Sequence, residues 1–165
     1  MSGNNTMNNM EKEFLELTYR YQKIIHKICM VYRDRKEDQE DLFQEIVYQL
    51  WKSYPGFKGT AKLSSWIYRI ALNTAIAIYR KPTIAVDFYE QFPEHLRSSH
   101  ESSMSENEER LFWALRKLSD SEKAVISLYL EDFSYQEIAA ITGISEGNVG
   151  VRLNRIKNKL KEILK

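Results

Sequence analysis

The stretch from Phe133 to Leu160 constrains the fold more than any other, because it reads as two short helices joined by a tight turn. Ser134 followed by Glu137 is the capping-box pattern that starts a helix. Thr142-Gly143 breaks that helix, since glycine accepts the left-handed conformation common at helix C-termini. Ser145 can cap a second helix. The apolar face of this second helix is formed at spacings of four and three by Val149, Leu153, Ile156, Leu160 and Leu164. The sequence therefore predicts a helix-turn-helix.

The opposite face of the second helix is polar and basic. At about 100° per residue this face carries Gly147, Val151, Asn154 and Arg155, flanked by Asn148 and Arg152. Its first turn suits DNA base edges, and the basic residues further along suit phosphates. An apolar residue at Val151 suits a thymine methyl group. The alternative is a solvated helix at the end of a bundle.

Charge is segregated along the chain, although the net charge is only +1. Residues 1–81 carry +4, residues 82–109 carry −6 and residues 110–165 carry +3. Two basic blocks joined by an acidic strip indicate two binding units and a linker. The strip is rich in serine and has no sustained hydrophobic period, so we expect a linker over residues 82–104.

Two amphipathic helices are predicted in the first unit, over residues 11 to about 32 and 37 to 53. The outer face of the second carries Asp41, Gln44, Glu45, Tyr48 and Lys52. Its carboxylates at i,i+4 could share a metal, but no histidine or further carboxylate at useful spacing supports that. A plain solvated surface and a docking surface for a basic partner remain as alternatives.

A third helix is predicted from a cap at Ser64 to about Lys81. Its predicted core face is Ile67, Ile70, Ala71, Thr74, Ala75 and Ile78. The other face lines up Trp66, Arg69, Asn73 and Arg80, beside a loop that carries Phe57, Lys58 and Lys62. Aromatic rings stack bases, an amide reads a base edge and cations hold phosphates, so this face suits single-stranded DNA. In the alternative, Trp66 packs against Phe57 and the arginines are solvated.

Two further capping boxes, Ser105 with Glu108 and Ser119 with Glu122, predict helices over about 106–118 and 120–131. With the helix-turn-helix they make a four-helix second unit. No strand pattern or internal repeat competes. The predicted fold class is therefore all-α, with two helical domains at 11–81 and 105–165. A flexible linker at 82–104 joins them, and a disordered segment at 1–10 precedes them.

The composition argues against several classes of function. The single cysteine, Cys29, cannot form an internal disulfide, and its apolar surroundings indicate a small core residue in a reducing cytosol. No run approaches the roughly 20 apolar residues of a membrane span, and the first ten residues lack a signal-peptide core. No nucleophile–base pair, phosphate loop or metal-ligand set is evident. We therefore expect a cytoplasmic protein without membrane insertion, catalytic activity, bound metal or cofactor.

Three stretches carry a family resemblance: EDLFQEIVYQLW, FKGTAKLSSWIYRIALNTAI and LSDSEKAVISLYLEDFSYQEIAAITGISEGNVGVRLNRIKNKL. The first is similar to a polymerase-binding helix, the second to an F-(K/R)-G…W-(L/I)-Y-R-I-A-x-N signature, and the third to a promoter-reading domain. Together, over about residues 11–81 and 106–164, they resemble a bacterial RNA polymerase sigma factor of the extracytoplasmic-function (ECF) type. The helix-turn-helix alone is weakly specific, whereas the two signatures in this order are highly specific.

The resemblance implies a sigma factor that binds core RNA polymerase, recognises and melts the −10 promoter element and reads the −35 element. The implied partners are promoter DNA, an anti-sigma factor, and the clamp and flap of the polymerase. The implied clamp contacts are Asp41, Gln44, Glu45, Tyr48 and Trp51. The implied −10 contacts, with Phe57 and Asn73 at a pocket for a flipped base, are Phe57, Lys58, Lys62, Trp66, Arg69, Asn73 and Arg80. The implied −35 contacts are Ser145, Glu146, Asn148, Val151, Arg152, Asn154, Arg155 and Lys159.

Two residues depart from the family pattern. Gly150 stands where the family often has lysine or arginine, and Val151 replaces a usual small polar residue. The −35 sequence is therefore expected to differ from the common one. The alternative function is a helix-turn-helix transcription regulator that does not associate with core polymerase. That class needs a sensor or receiver domain, and residues 1–81 show no βαβ alternation.

Overall fold

The computed structural model describes the backbone of residues 2–59, 62–77 and 104–165, and their side chains from residue 9 onward. Every regular element in those ranges is a helix, as predicted. Most of the predicted linker, together with Ile78 and Arg80, lies outside the described residues. In chain order the elements are α1 (Ser2–Tyr32), α2 (Lys36–Ser53), a 3-10 turn (Tyr54–Gly56), α3 (Leu63–Ala77), α4 (Glu106–Leu115), α5 (Asp120–Leu130), α6 (Tyr135–Thr142) and α7 (Glu146–Ile163).

Helices α1, α2 and α3 pack against one another and form the first unit. The apolar face of α2 is buried from Leu42 to Leu50, while Trp51 is half-buried. Helix α1 begins at Ser2, not near residue 11 as predicted, so residues 2–10 are helical where we expected disorder. No proline interrupts that stretch, and each residue added to an existing helix closes one more backbone hydrogen bond. Tyr19 of α1 is 58% exposed although it is aromatic.

Helix α3 differs from its prediction in two ways. It begins at Leu63, and the Trp66 N–H donates to the Lys62 carbonyl at 3.0 Å. Ser64 therefore lies inside the first turn, and its prediction as the cap was wrong. The buried face also includes Tyr68 and Leu72, which were not predicted, whereas Ile70 and Thr74 are only half-buried.

The cause of this extra burial is the second unit, which packs directly on the first. Helix α3 contacts α6 and α5, and α1 contacts α4 and α5. The ring of Tyr68 meets Phe133 edge-on, with 5.1 Å between centroids. The buried apolar residues of both units form one contiguous core. The prediction of two helical regions thus holds for their order, but they share an interface that the sequence pattern did not reveal.

Polar contacts complete this interface at the far end of α1. The Tyr32 hydroxyl donates to the Asp120 carbonyl at 2.9 Å, and Arg116 Nε donates to the Met30 carbonyl at 2.7 Å. Lys27 forms an ion pair with Glu131 at 3.0 Å. An interface with this many polar contacts resembles the separable interfaces between domains more than a domain core.

Side-chain caps set the helix starts of the second unit. Ser119 with Glu122, and Ser134 with Glu137, form both halves of the predicted capping box. The Ser105 hydroxyl accepts from the Glu108 N–H at 3.3 Å. Helix α4 ends at Leu115, three residues earlier than predicted, because the chain turns there and the Leu118 N–H donates to the Leu115 carbonyl.

Candidate nucleic-acid interfaces

The turn between α6 and α7 positions the first candidate interface. Gly143 ends α6 at φ 79°, the left-handed conformation that the sequence predicted for this position. The Ser145 hydroxyl then accepts from the Asn148 N–H at 3.4 Å and starts α7. A short turn between two capped helices holds α7 at a defined angle to α6, as a helix-turn-helix requires.

Helix α7 is buried on one face and exposed on the other. Val149, Leu153 and Ile156 are buried, as predicted. Val151 is 49% exposed, although it is apolar. The remaining predicted DNA contacts are all exposed as well: Ser145, Glu146, Asn148, Arg152, Asn154, Arg155 and Lys159. We call this exposed side the reading face.

Two lysines further along α7, Lys157 and Lys159, have protein partners. Lys157 Nζ donates to the Tyr129 hydroxyl at 3.0 Å and lies 4.3 Å from the centre of that ring. Lys159, predicted as a phosphate contact, forms an ion pair with Glu122 at 3.0 Å. Glu122 also accepts from the Ser119 N–H in the capping box. Burial opposes ionisation of Glu122, but the hydrogen bonds from Ser119 and Lys159 outweigh it and lower the pKa of the carboxyl.

The second candidate interface is the outer side of α3 with the preceding loop, which we call the α3 face. Trp66 is half-buried, and its ring lies 4.9 Å from that of Phe57 between centroids. The ring of Tyr54 also lies near that of Trp66, and Phe14 links Tyr54 to Trp51. Trp66 therefore packs against Phe57, as the alternative interpretation of this face required. The arginine and asparagine of this face, Arg69 and Asn73, are exposed.

The α3 face is partly covered by the helix-turn-helix. Lys62 Nζ lies 2.7 Å from Glu137 Oε1, and Arg69 Nη2 donates to the Ala140 carbonyl at 2.9 Å. The hydrogen bond from Lys62, followed by that from the Ser134 N–H, lowers the pKa of Glu137. Two cations predicted to hold DNA phosphates thus bind α6 instead.

A cleft of about 190 Å³ lies where the two candidate interfaces approach each other. Arg69 and Asn73 of the α3 face line one side, and Arg152 of the reading face lines the other. Apolar side chains, including Leu72 and Ile141, also contribute to its lining. Residues predicted for two separate DNA elements therefore line one narrow space.

Sequence reasoning missed the residues that cover the α3 face. Glu137 was interpreted only as a capping residue, yet its two oxygens do different things. Oε2 accepts from the Ser134 N–H at 2.9 Å, and Oε1 binds Lys62. The only feature of the sequence that could have indicated this contact was the second carboxylate oxygen of Glu137, which the capping box leaves unused. The carbonyl of Ala140 carries no side-chain signal at all.

The predicted docking face of α2 is partly engaged within the protein. Asp41 is exposed, whereas Gln44, Glu45 and Tyr48 are half-buried. Glu45 Oε1 accepts from Gln49 at 3.0 Å, while its buried Oε2 has no hydrogen-bond partner among the described residues. A buried carboxylate oxygen without a hydrogen-bond partner carries an uncompensated desolvation cost.

Within the described parts of the chain, no group of three or more histidine, cysteine, aspartate or glutamate side chains could hold a metal ion. No described helix has the length and apolar character needed to cross a membrane. Cys29 is buried, and burial raises the pKa of its thiol.

Two protein-family models match the chain, each on one of its helical units. Sigma-70 region 2 matches residues 17–83, and Sigma-70, region 4, matches residues 109–160. The first unit and the helix-turn-helix unit therefore define a protein of the sigma-70 class.

Relatives across the whole chain narrow this class. The ECF RNA polymerase sigma-E factor of Haemophilus influenzae is 31% identical over 172 residues, covering 93% of this chain and 90% of that protein. The ECF RNA polymerase sigma-E factor of Escherichia coli K12 is 28% identical over 173 residues, covering 94% and 90%. The chain belongs to the ECF RNA polymerase sigma factors.

Solved structures share the fold. CnrH in complex with the cytosolic domain of CnrY aligns with a TM-score of 0.64 at 22% identity, covering 93% of this chain and 88% of that one. The sigma factor RpoE from Bartonella quintana, in complex with the anti-sigma factor NepR, aligns with a TM-score of 0.62 at 21% identity, covering 94% and 96%.

Proposed function

We propose that this sigma factor divides promoter recognition between two helices, with α7 reading the −35 element and α3 binding the −10 element. The observation that carries the proposal is the one-sided burial of α7. Val149 and Leu153 anchor the helix in the core, while Asn154 and Arg155 stay exposed on the reading face. A helix that reads the major groove needs one face packed against the core and the opposite face exposed to the DNA.

The chemistry of the reading face indicates how bases are distinguished. Arg155 can donate two hydrogen bonds to guanine, and Asn154 can pair with adenine. Val151 offers an apolar contact to a thymine methyl group. Ser145, Glu146 and Asn148 lie at the start of the helix, where groove-binding helices contact base edges. Arg152, on the cleft side, is suited to a phosphate.

The α3 face would bind the −10 strand. Asn73 supplies an amide for a base edge, and Arg69 and Lys62 supply cations for phosphates. Phe57 is the aromatic ring next to the exposed loop lysine, Lys58, and is only half-buried against Trp66. We expect a −10 base to stack at this end of the face.

We infer that binding at the α3 face separates the two units. Lys62 and Arg69 are held toward α6 while they bind Glu137 and the Ala140 carbonyl, which competes with contacts to phosphates. We infer that the compact arrangement is the form without promoter, and that polymerase moves the helix-turn-helix away from α3. The polar contacts of this interface can be replaced by water, which favours such a movement.

Two protein partners follow from this role. Core polymerase, through its clamp, would bind the α2 face around Asp41 and Glu45, and its flap would hold the second unit. The core would supply the chemistry of RNA synthesis. An anti-sigma factor is the second proposed partner, and the solved complex of a relative with an anti-sigma factor supports it.

The test uses purified core polymerase and the full chain. Asp41→Lys with Glu45→Lys should abolish core binding in a pull-down and promoter-specific transcription, with helicity by circular dichroism unchanged. The matched control is Glu11→Lys with Glu16→Lys, which makes the same charge change at exposed positions of α1. Unchanged core binding in the α2 variant would refute the docking role. Promoter binding by the wild-type chain without any association with core would instead support the transcription-regulator alternative.

A further inference from the structure

The cleft between the two units has a lining of two kinds of residue. Its charged residues are two arginines, Arg69 of α3 and Arg152 of α7. No aspartate or glutamate is present among the described residues that line it. Its apolar residues also come from both units: Leu72, Ile76, Ala124, Ile141 and Ile144. A mostly apolar space with a few placed polar groups is typical of a site for a small molecule.

The two arginines fix the charge of a ligand that fits this cleft. Arg69 Nη2 donates to the Ala140 carbonyl at 2.9 Å, but a guanidinium has five N–H donors, so most of them remain for a ligand. The side chains of Arg152 and Asn73 are exposed. Guanidinium groups bind carboxylates through two parallel hydrogen bonds, and an amide adds a further donor. The ligand is therefore an anion, and a carboxylate matches the available donors.

The volume of the cleft fixes the size of the ligand. The cleft measures about 190 Å³, whereas an engineered apolar cavity of about 150 Å³ binds benzene. A single ring that carries a carboxylate is therefore of the right size. Thr142, which also lines the cleft, donates to the Ile138 carbonyl at 2.6 Å and accepts from the Ile144 N–H at 3.4 Å. Its hydroxyl is satisfied within the turn and does not oppose an apolar ligand.

We propose that the cleft binds a small carboxylate with an apolar body, of the size of a simple aromatic acid. The carboxylate lies between Arg69 and Arg152, and the apolar body packs against Leu72 and Ile76. Because the two arginines belong to different units, only the compact arrangement brings both to the ligand. The ligand therefore holds the units together. This consequence rests on the proposed function, in which the units separate when polymerase and promoter bind.

The coupling has a defined size. A ligand that binds only one of two arrangements favours it by a factor of one plus the ratio of ligand concentration to Kd. At about nine times its Kd, the ligand should thus weaken the binding of core polymerase about tenfold. Linkage is reciprocal, so core polymerase should weaken ligand binding by the same factor. The proposed ligand is a negative effector of this sigma factor.

The experiment uses benzoate as the probe and the full chain in isothermal titration calorimetry at low salt. Wild type should bind benzoate with a Kd on the order of 1 mM or below. Benzamide, which has the same shape without the charge, should bind about tenfold more weakly. Arg152→Gln should weaken benzoate binding about tenfold. The matched control is Arg155→Gln, at an exposed arginine of the same helix outside the cleft, and it should bind benzoate as wild type does.

A second variant tests the apolar part of the site. Ile76 is 38% exposed at the cleft, so Ile76→Trp should fill the space without unfolding the chain and should weaken binding of benzoate and benzamide alike. Thermal unfolding checks that each variant is folded. No binding of benzoate by wild type would overturn the proposal. Equal binding of benzoate and benzamide, or equal benzoate binding by Arg152→Gln and Arg155→Gln, would overturn it as well.

Binding of core polymerase separates this proposal from the proposed function. Core binding by wild type is measured with benzoate, with benzamide and with sodium chloride at the same ionic strength, and only benzoate should weaken it. Benzoate that binds as expected but leaves core binding unchanged would support the ligand site. That result would refute the separation of the two units, on which the regulatory consequence rests.

Discussion

The reading face of α7 and the α3 face carry the same kinds of side chain, yet they differ in availability. Each presents an arginine and an asparagine to the outside, Arg155 with Asn154 and Arg69 with Asn73. On α7 these side chains are exposed, whereas Arg69 donates to a carbonyl of α6. Residue chemistry therefore identifies a nucleic-acid face, while packing elsewhere in the chain decides whether that face can be reached.

The contacts that hold the second unit against α3 differ in how much they contribute to stability. The ion pair between Lys62 and Glu137 is exposed, and exposed pairs contribute little and are screened by salt. The contact of Tyr68 with Phe133 belongs to the apolar core, where burial of ring surface stabilises more strongly. We therefore expect the apolar contact to hold the units together and the polar contacts to set their register.

Removing the apolar contact between Tyr68 and Phe133 should have the largest effect on access to the α3 face. Phe133→Ala deletes the ring against Tyr68 and should lower the free energy of unfolding by about 2–3 kcal/mol, since Phe133 is only half-buried. The α3 face should become accessible, so the free variant should bind a single-stranded −10 oligonucleotide more tightly than wild type does. Calorimetry and fluorescence anisotropy measure the two effects.

Leu130→Ala is the matched control for that variant, because Leu130 is apolar and near Phe133 in sequence but 50% exposed. It should change neither stability nor oligonucleotide binding appreciably. Equal oligonucleotide binding by Phe133→Ala and wild type, with folding intact, would show that the helix-turn-helix is not what covers the α3 face.

Arg155→Ala should affect the reading face of α7 alone. It should weaken −35 binding by holoenzyme by about 1–3 kcal/mol and relax the preference at one or two base pairs. It should leave single-stranded −10 binding by the free chain unchanged, because Arg155 does not belong to the α3 face. Selection on a −35 library measures the first effect. A uniform loss across the library would mean that Arg155 contacts phosphate instead of a base.

Lys62→Ala should have a smaller effect that depends on pH and salt. Lys62 lowers the pKa of Glu137 from its ordinary value of 4.5. The contact therefore stabilises the compact arrangement above that pH and is lost as pH falls through the lowered pKa. In the wild type, added salt or acid should weaken the Lys62–Glu137 contact between the two units and so increase binding to the α3 face. Lys62→Ala has no such contact, so its binding should change less with salt and pH.

Lys58→Ala is the control, since Lys58 is an exposed lysine of the same loop. Oligonucleotide binding by the free chain, measured across pH and salt, distinguishes the variants. If Lys62→Ala and Lys58→Ala show the same dependence on pH and salt, the ion pair with Glu137 does not hold the helix-turn-helix over the α3 face.

Lys159→Ala should have the smallest effect. Because Lys159 pairs with Glu122 at the cap of α5, its loss should cost a few tenths of a kcal/mol of stability and leave the salt dependence of promoter binding unchanged. Lys161→Ala, at an exposed position nearby, serves as the comparison. A salt slope lowered by about one in Lys159→Ala would restore the original prediction that this lysine holds a phosphate.

Local features of both faces were predictable from the sequence. The caps at Ser134 and Ser145, the turn at Gly143 and the burial of Val149 each depend on neighbours within a turn or two, which residue patterns capture. The burial of Tyr68 and the engagement of Lys62 were not predictable. Both depend on contacts with residues more than 60 positions away, across the linker, and no periodicity records such contacts.

A distance measured between the two units tests whether they separate when the sigma factor binds polymerase and promoter. Spin labels at Lys58→Cys and Gln136→Cys report on the loop before α3 and on α6, both at exposed positions. The buried Cys29 stays unlabelled because burial raises the pKa of its thiol. Pulsed electron paramagnetic resonance should give one short, narrow distance distribution for the free chain and a clearly longer one for holoenzyme on promoter DNA. The same distribution in both states would contradict the claim that the units separate to expose the α3 face.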